Sequence, residues 1–344
     1  MNCLSFNLNT KLEWREYCEK FKNFDFYFTP EYHHLYQSRY SHSKPFAWTY
    51  NKGNNFFLYA FNLTSIPNIK WKNKKIYDIS STYGFVGPIS TTKDKKFLSN
   101  AWKEFDIWAK EKNIILEFIR FNPIIENQVY KHNNSKIEFN RYIAVSDFTK
   151  GIDFFKSQIQ SKTRNMIRKA IKNNFETKEV KLSDFKKEFY NIYKSTMKRN
   201  KAKNFFYYDL KYFNFLCNLK ETKFFGVFLD KKLIGGGIFF VNNTIAIYHL
   251  GACKKEFLKF GISNLYLYDA SINFCKQKIK YLNLGGGRTT DNNDTLLKFK
   301  RDNSTELRKF FIGKRIINKK IYDYICKKFS EEKTKNNNLI FYRN

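Results

Sequence analysis

No stretch of about eighteen apolar residues occurs in this chain, so the sequence predicts no membrane span. Its start, Met1-Asn2-Cys3-Leu4-Ser5-Phe6-Asn7, has neither a basic stretch nor an apolar core and predicts no secretory signal. Cysteine is sparse: the six residues Cys3, Cys18, Cys217, Cys253, Cys275 and Cys326 form no CxxC pair, which predicts reduced thiols in a cytoplasmic protein. None of the five histidines stands at metal-ligand spacing from a second histidine or a cysteine, so no metal is implied. With only five prolines, no Pro- or Gly-rich linker divides the chain. Phosphate loops of the GxxxxGK[ST] type, GxSxG elbows, HExxH pairs and GxGxxG fingerprints are all missing. Their absence argues against P-loop ATPases, α/β-hydrolases, zincins and Rossmann dehydrogenases. Acid is scarce as well, with 31 Asp and Glu against 63 Lys and Arg, a formal net charge of +32.

Apolar residues make up 42% of the chain, too many for a disordered polypeptide, and 344 residues suffice for two domains with real cores. The positive field attracts phosphates, nucleic acid, acidic glycan precursors or anionic lipid. Lys, Asn, Ile, Phe and Tyr are all abundant, as an AT-rich coding sequence would give. A local basic stripe is therefore better evidence than the total charge.

Patterning predicts two short helices in residues 12–40, broken at Thr29-Pro30, with Thr29 as a cap. A hairpin follows from Phe46–Tyr50 and Phe56–Phe61 around Lys52-Gly53-Asn54-Asn55. A strand over Lys75–Ile79 empties into the loop Tyr83-Gly84-Phe85-Val86-Gly87-Pro88. Phe97, Ala101, Phe105, Trp108 and Ala109 fall on one face of a helix over Asp94–Lys112, and Ile114–Phe121 is a strand. Further on come one long helix over Phe154–Asn173 and helices over Asp184–Met197 and Asp209–Leu219. A three-stranded meander takes Phe224–Leu229, Leu233–Val241 and Thr244–Leu250. A helix over Ser263–Lys276 leads to a strand over Tyr281–Leu284. Glu306–Phe311 reads as a last strand and Asn318–Phe329 as a closing helix. Both halves show a hairpin or meander, a helix, and a strand ending at a loop. The expected fold is α/β (α+β with mixed sheets): two tandem modules packed against each other, residues 1–150 and 151–344.

The chemistry-bearing residues cluster late. After Tyr281–Leu284 come Gly285, Gly286 and Gly287, then Arg288, Asp291, Asp294 and the pair Phe299-Lys300. Three glycines bare the backbone to close approach, and a lysine returning to that spot can stabilise developing charge. Arg164, Arg168 and Lys172, at i, i+4 and i+8, line one face of a helix with groups suited to phosphate. Gly235-Gly236-Gly237 lies inside a strand, where the backbone meets either an acyl donor or a tightly packed helix. His249 has a resting pKa suited to a general base, though a lone strand histidine is more often structural. Asp78, Asp291 and Asp294 are candidate proton acceptors.

Four segments in order resemble the Fem-type transferases and the related acetyltransferase-like proteins with a doubled GNAT-like fold. They are Tyr83 to Pro88, the basic helix Lys162 to Ala170, the glycine-bearing meander from Leu233 to Gly251, and Leu284-Gly285-Gly286-Gly287 through Phe299-Lys300. The resemblance spans roughly residues 75–312 and implies transfer of an acyl or aminoacyl group to an amine. The acceptor would be a phosphorylated cell-envelope precursor, of peptidoglycan or of a surface glycan. Tyr83, Arg164, Arg168, Gly285–Gly287 and Phe299 would bind substrate, with Arg164 on phosphate. Lys300 would sit beside the reacting carbonyl and Asp291 would take the proton. No tightly bound cofactor is implied; the donor would be aminoacyl-tRNA or acyl-CoA. Acetyl-CoA-using members of the wider fold carry Gln/Arg-x-x-Gly-x-Gly/Ala before a helix. Glu256 to Ser263 keeps one glycine of that loop, Gly261, which leaves room for a tRNA donor. The charge would also suit a peripheral contact with an anionic membrane surface. An acetyl-CoA-dependent N-acetyltransferase of a polysaccharide pathway and a basic nucleic-acid-binding protein are the rival readings.

Overall fold

The computed structural model describes residues 2–40, 42–335 and 338–343. Its elements run β1 (Asn2–Asn7), α1 (Lys11–Cys18), α2 (Pro30–Gln37), β2 (Ser43–Lys52), β3 (Asn55–Trp71), β4 (Lys74–Ser80), β5 (Gly87–Ser90), α3 (Lys95–Glu111), β6 (Ile114–Arg120) and β7 (Lys136–Asp147). The chain continues through α4 (Gly151–Gln158), α5 (Ser161–Lys172), β8 (Glu176–Val180), α6 (Leu182–Arg199), α7 (Leu210–Cys217), β9 (Thr222–Leu229), β10 (Lys232–Asn242) and β11 (Ile245–Cys253). It closes with α8 (Ile262–Lys276), β12 (Tyr281–Gly285), α9 (Thr295–Asp302), β13 (Glu306–Ile316), α10 (Lys319–Lys328) and α11 (Ser330–Lys335). The α/β class with mixed sheets is as the sequence predicts.

The chain forms two units. The first takes residues up to Asn140 and again from Phe310 onward; the second is the continuous stretch Arg141–Lys309. The expected division at residue 150, with everything after it in one module, differs from this. The backbone leaves the first unit within β7 and returns to it within β13, because the end of β13 pairs with β6, from Ile312↔Arg120 to Ile316↔Leu116.

In the first unit the strand order is β1-β2-β3-β4-β6-β13, with β5 beside β3. β4 and β6 are parallel, joined through α3, while β1 to β4 are antiparallel. α3 starts where the Asp94 carboxylate accepts the Phe97 N–H at 2.6 Å. It buries Phe97, Ala101, Trp102, Phe105 and Ala109 against Trp48, Tyr50, Phe57, Tyr59 and Phe61 of β2 and β3. Each large apolar side chain among these stabilises the unit by about 1.5–3 kcal/mol on leaving water, and each alanine methyl by about 1 kcal/mol or less. Beneath α3 lies a buried charge cluster. Arg315 Nε meets Glu117 Oε1 at 2.8 Å and its Nη1 meets Asp106 Oδ1 at 2.6 Å, with the guanidinium over the Trp102 and Phe105 rings. Ser135 and Tyr59 also donate to Glu117. The opposite side of the sheet is closed by α10 and the C-terminal residues Phe341 and Tyr342 on Ile66, Ile76, Ile115 and Leu116.

In the second unit the order is β7-β12-β11-β10-β9-β8. β11 and β12 are parallel, connected through α8, and β9–β10–β11 is the expected meander. One face packs Phe155 of α4, Ile167 and Ala170 of α5, and Leu265, Tyr266, Ala270 and Phe274 of α8 on Phe225, Phe239, Ala246 and Leu282. The single helix expected over Phe154–Asn173 is two. Ile159 and Gln160 take extended backbone, with ψ of 128° and 143°. The break buries Ile159 and turns its carbonyl to the guanidinium of Arg164. Gly235, Gly236 and Gly237 pair with β9 on one side and β11 on the other, so no peptide edge is open there for a donor. The sequence reading places no strands at β1, β5, β7 or β8. Two of these, β1 and β8, are largely exposed strands at the ends of the two orders, β1 half polar and β8 mostly so.

Candidate functional site

The site grows from a divergence of two parallel strands. β11 and β12 pair only from Ile245↔Tyr281 to Ile247↔Asn283. Beyond that point β11 continues against β10 to Cys253, while β12 bulges at Leu284 and pairs Gly285 with Ala144 of β7. Past Ile247 and Asn283 the two strands no longer pair, and the divergence makes a mouth between them. Gly285 makes the bend with φ +79°, a conformation that favours glycine. The Asn283 Oδ1 accepts the Gly285 N–H at 2.9 Å and fixes it. The Nδ2 of this buried Asn283 has no hydrogen-bond partner among the described residues.

The polar loop after the glycines is organised by Asp294. Its Oδ2 accepts the N–H groups of Arg288 and Thr289, each at 3.0 Å, and the Thr289 hydroxyl at 3.2 Å. Its Oδ1 accepts the N–H groups of Leu296 and Leu297 at 2.9 and 3.0 Å, which caps α9. Burial opposes ionisation of this carboxyl, but the converging amides hold it below its ordinary value. Asp291 is exposed, and its carboxylate accepts the Asn293 N–H at 2.8 Å. From the other side, Arg141 Nη1 donates to the carbonyls of Gly287 and Thr289 at 3.3 and 3.0 Å.

The capped helix α9 carries Lys300 back to the glycines. Its Nζ donates to the Gly286 carbonyl at 3.0 Å and lies 6.0 Å from the centroid of the Tyr248 ring on β11. Burial brings the ammonium pKa down to about 8; Asp294 draws it up and Arg288 pushes it further down. Lys300 is thus an ammonium held at a cost, charged below about pH 8. Phe299 packs into the core of the unit and Asn303 Nδ2 donates to its carbonyl at 2.8 Å, which fixes the end of α9. Tyr248 is held by Tyr266, hydroxyl to hydroxyl at 2.7 Å. Room for this pair comes from Gly251 and Gly237, opposite one another on β11 and β10, since a Cβ on Gly251 would overlap both hydroxyls.

Three helix ends meet beside this mouth. The Asp302 carbonyl at the end of α9 accepts the Gln160 N–H just before α5 at 3.4 Å. Asn264, in the first turn of α8, donates to Asn303 Oδ1 at 3.2 Å. Arg164 lies in the first turn of α5, and its guanidinium turns back to the Ile159 carbonyl and to Ser161 Oγ, the latter at 3.0 Å. Arg168, one turn on, is exposed and bonds Asn165 Oδ1 at 3.0 Å.

Other expected residues sit elsewhere. Tyr83 belongs to the first unit, where its N–H donates to Tyr40 Oη at 2.7 Å, its carbonyl accepts the Tyr32 hydroxyl, and its ring lies 5.6 Å from that of Tyr36. Asp78, a candidate proton acceptor, is buried in the first unit and bound by Arg343 and Tyr342. His249 is a poor base: burial lowers its pKa to about 3 and Tyr212 Oη lies 2.6 Å from its Nε2. Sequence reading passes over Arg141, Tyr248 and Asn283. Arg141 reaches Gly287 across 146 residues, a pairing no local pattern announces. Among the described residues, no three His, Cys, Asp or Glu side chains gather as a metal site would need.

Solved structures share this architecture. The crystal structure of FemX matches with a TM-score of 0.74 at 14% identity, over 94% of this chain and 100% of that one. The C-terminal domain of a putative lysylphosphatidylglycerol synthetase from Agrobacterium fabrum matches at 0.55 and 11% identity, over 88% of this chain and 92% of its own. L-PGS from Bacillus licheniformis matches at 0.51 and 12%, over 80% of this chain and 84% of its own. At these identities the likeness is one of fold, and that fold is the one FemX has. No protein-family model matches the sequence, and no curated protein does.

Proposed function

We propose that this chain is an acyltransferase of the Fem type that moves an acyl or aminoacyl group from an activated carboxyl to an amine on a phosphorylated cell-envelope precursor. The observation that carries the reading is the Lys300 ammonium, held at the Gly285–Gly286 bend in the mouth between β11 and β12. The fold likeness to FemX and to the C-terminal domain of a putative lysylphosphatidylglycerol synthetase supports it.

In this reading the acyl carbonyl enters the mouth with its oxygen toward Lys300 Nζ. The unprotonated amine attacks the carbonyl carbon, a C–N bond forms, and the C=O electron pair moves onto oxygen. Lys300 donates a hydrogen bond to that oxyanion from a position already fixed by the Gly286 carbonyl. The tetrahedral intermediate collapses, the bond to the donor's leaving oxygen or sulfur breaks, and the amine proton, taken up through Asp291, passes to that leaving atom, which departs as the hydroxyl or thiol. Holding both reactants together supplies much of the rate. Arg168 and, once released from its own helix start, Arg164 would take the acceptor's phosphates. α8 has no side-chain cap, so its first N–H groups would meet a donor phosphate whether the donor is aminoacyl-tRNA or acyl-CoA.

The test is mass spectrometry of purified protein mixed with aminoacyl-tRNA or acetyl-CoA and a panel of amino sugars and peptidoglycan precursors. A donor-dependent mass gain on the acceptor, lost in a folded Lys300→Ala variant, supports the reading. A gain with acetyl-CoA alone selects the N-acetyltransferase reading. Unchanged turnover in Lys300→Ala removes Lys300 from the mechanism.

A further inference from the structure

A second surface, in the first unit, concentrates cations around aromatic rings. β3 and β4 form a hairpin whose outermost pairs are Lys70↔Lys75 and Trp71↔Lys74. Its two-residue tip, Lys72-Asn73, has both φ angles positive, at 48° and 62°, so the strands turn sharply and project their side chains outward. Lys70, Lys72, Lys74 and Lys75 are all exposed. Trp71 is half-buried and meets Tyr324 of α10 edge to face, ring centroids 5.4 Å apart. Lys320 Nζ lies 6.0 Å from the Trp71 ring centroid. On α10, Lys320, Tyr324, Lys327 and Lys328 fall on one face by their i, i+4, i+7 and i+8 spacing. The acid of that helix, Asp323, is tied to Lys319 at 2.7 Å, and Glu331 and Glu332 belong to the next helix.

The geometry points to a docking surface for an anionic lipid bilayer, with Trp71 and Tyr324 at the headgroup level and the lysines around them on lipid phosphates. Three observations favour a bilayer over nucleic acid. The Trp71 ring already meets the Tyr324 ring and the Lys320 ammonium, which leaves a poor platform for a stacked base. The cations named are all lysines, point charges that match a fluid anionic sheet, with no guanidinium fork for fixed phosphates. Lys70 and Lys75 stand on one face of the hairpin, and Trp71 and Lys74 on the other. A projecting tip ringed by charge with amphipathic aromatics at its base fits an interface that closes around it.

The experiment is sedimentation of the full chain with phosphatidylcholine vesicles, with and without about one third phosphatidylglycerol, at about 0.1 M salt. Because the whole protein is basic, the informative comparison is between two variants of equal charge. One carries Lys70→Gln, Lys72→Gln, Lys74→Gln and Lys75→Gln; the other carries Lys93→Gln, Lys96→Gln, Lys103→Gln and Lys110→Gln, all exposed positions around α3. A lysine at an anionic surface is worth about fivefold in binding. The hairpin variant is expected to lose at least about tenfold in affinity for phosphatidylglycerol vesicles, the other variant less than about threefold. Circular dichroism establishes that both are folded. Equal losses in the two variants, or wild-type binding indifferent to phosphatidylglycerol, would overturn the assignment. So would a duplex RNA whose binding is lost in the hairpin variant while vesicle binding persists. The measurement involves no acyl transfer, so its outcome is independent of the proposed activity.

Discussion

Replacing Lys300 by methionine should change the pH dependence of stability in a way the structure fixes. Burial lowers the ammonium from its ordinary 10.5 to about 8. At about 1.4 kcal/mol for each tenfold change in an equilibrium constant, keeping the ammonium in the folded chain costs about 3 kcal/mol. Lys300 retains some contact with water, which reduces the figure to about 1–2 kcal/mol. The sign follows from proton counting. Between about pH 8 and pH 10.5 the unfolded chain holds a proton on Lys300 that the folded chain has released, so wild-type stability rises with pH across that window. The cost is fully present below the folded pKa and gone above the unfolded one. Methionine fills similar space, cannot titrate, and forfeits the bond to the Gly286 carbonyl, worth about 1 kcal/mol. Near pH 7 the variant should therefore match the wild type within about 1 kcal/mol. By about pH 10.5 the wild type should have gained a further 1–2 kcal/mol or so on it. Urea unfolding followed by circular dichroism at both pH values measures this, and every other titrating group cancels in the difference. A gap that stays constant with pH, or one that moves in the variant's favour, would refute the claim that Lys300 is held charged at a cost.

Asp294→Ala removes the acceptor of four backbone N–H groups and one hydroxyl and should destabilise the protein by about 2–3 kcal/mol, with amide exchange rising first at Arg288, Thr289, Leu296 and Leu297. Gly285→Ala forces a side chain onto φ +79° and puts its Cβ 3.1 Å from Lys300 Nζ. About 1–2 kcal/mol should be lost in denaturant titration, and transfer activity should fall more than that loss of folded protein explains. Arg315→Met strands Glu117 and Asp106 without their cation and should cost about 3–5 kcal/mol, whereas Arg315→Met with Glu117→Gln should recover part of it; a double-mutant cycle on thermal unfolding measures the difference.

What the sequence makes legible follows the range of the interaction. α3 is readable because its apolar stripe is local, and Phe97, Ala101, Phe105 and Ala109 are all buried where that stripe puts them. The meander is readable from its turns, since Asp230, Lys231 and Asn243 all take positive φ. The contact of Lys300 with the glycines is accessible because loop and helix are short and contiguous. The break between α4 and α5 has no proline or glycine to mark it; it exists so that Ile159 can enter the core. Arg141 at the loop carbonyls and Tyr248 beneath the ammonium depend on strand pairing across the second unit. The return of β13 to β6 depends on pairing across the whole second unit, which no window of sequence contains.

The excursion of the backbone through the second unit has a consequence during synthesis. Arg315, the counter-ion of Glu117, lies 198 residues downstream of it. At about 5–20 residues per second a ribosome needs about 10–40 s to cover that distance. Throughout this interval β6 lacks its β13 neighbour, and the Glu117 carboxylate lacks its guanidinium. The continuous stretch Arg141–Lys309 can meanwhile complete its own sheet. The nascent chain should therefore mature from the middle outward, with its earliest-made residues the last to lock and the most dependent on a chaperone while they wait.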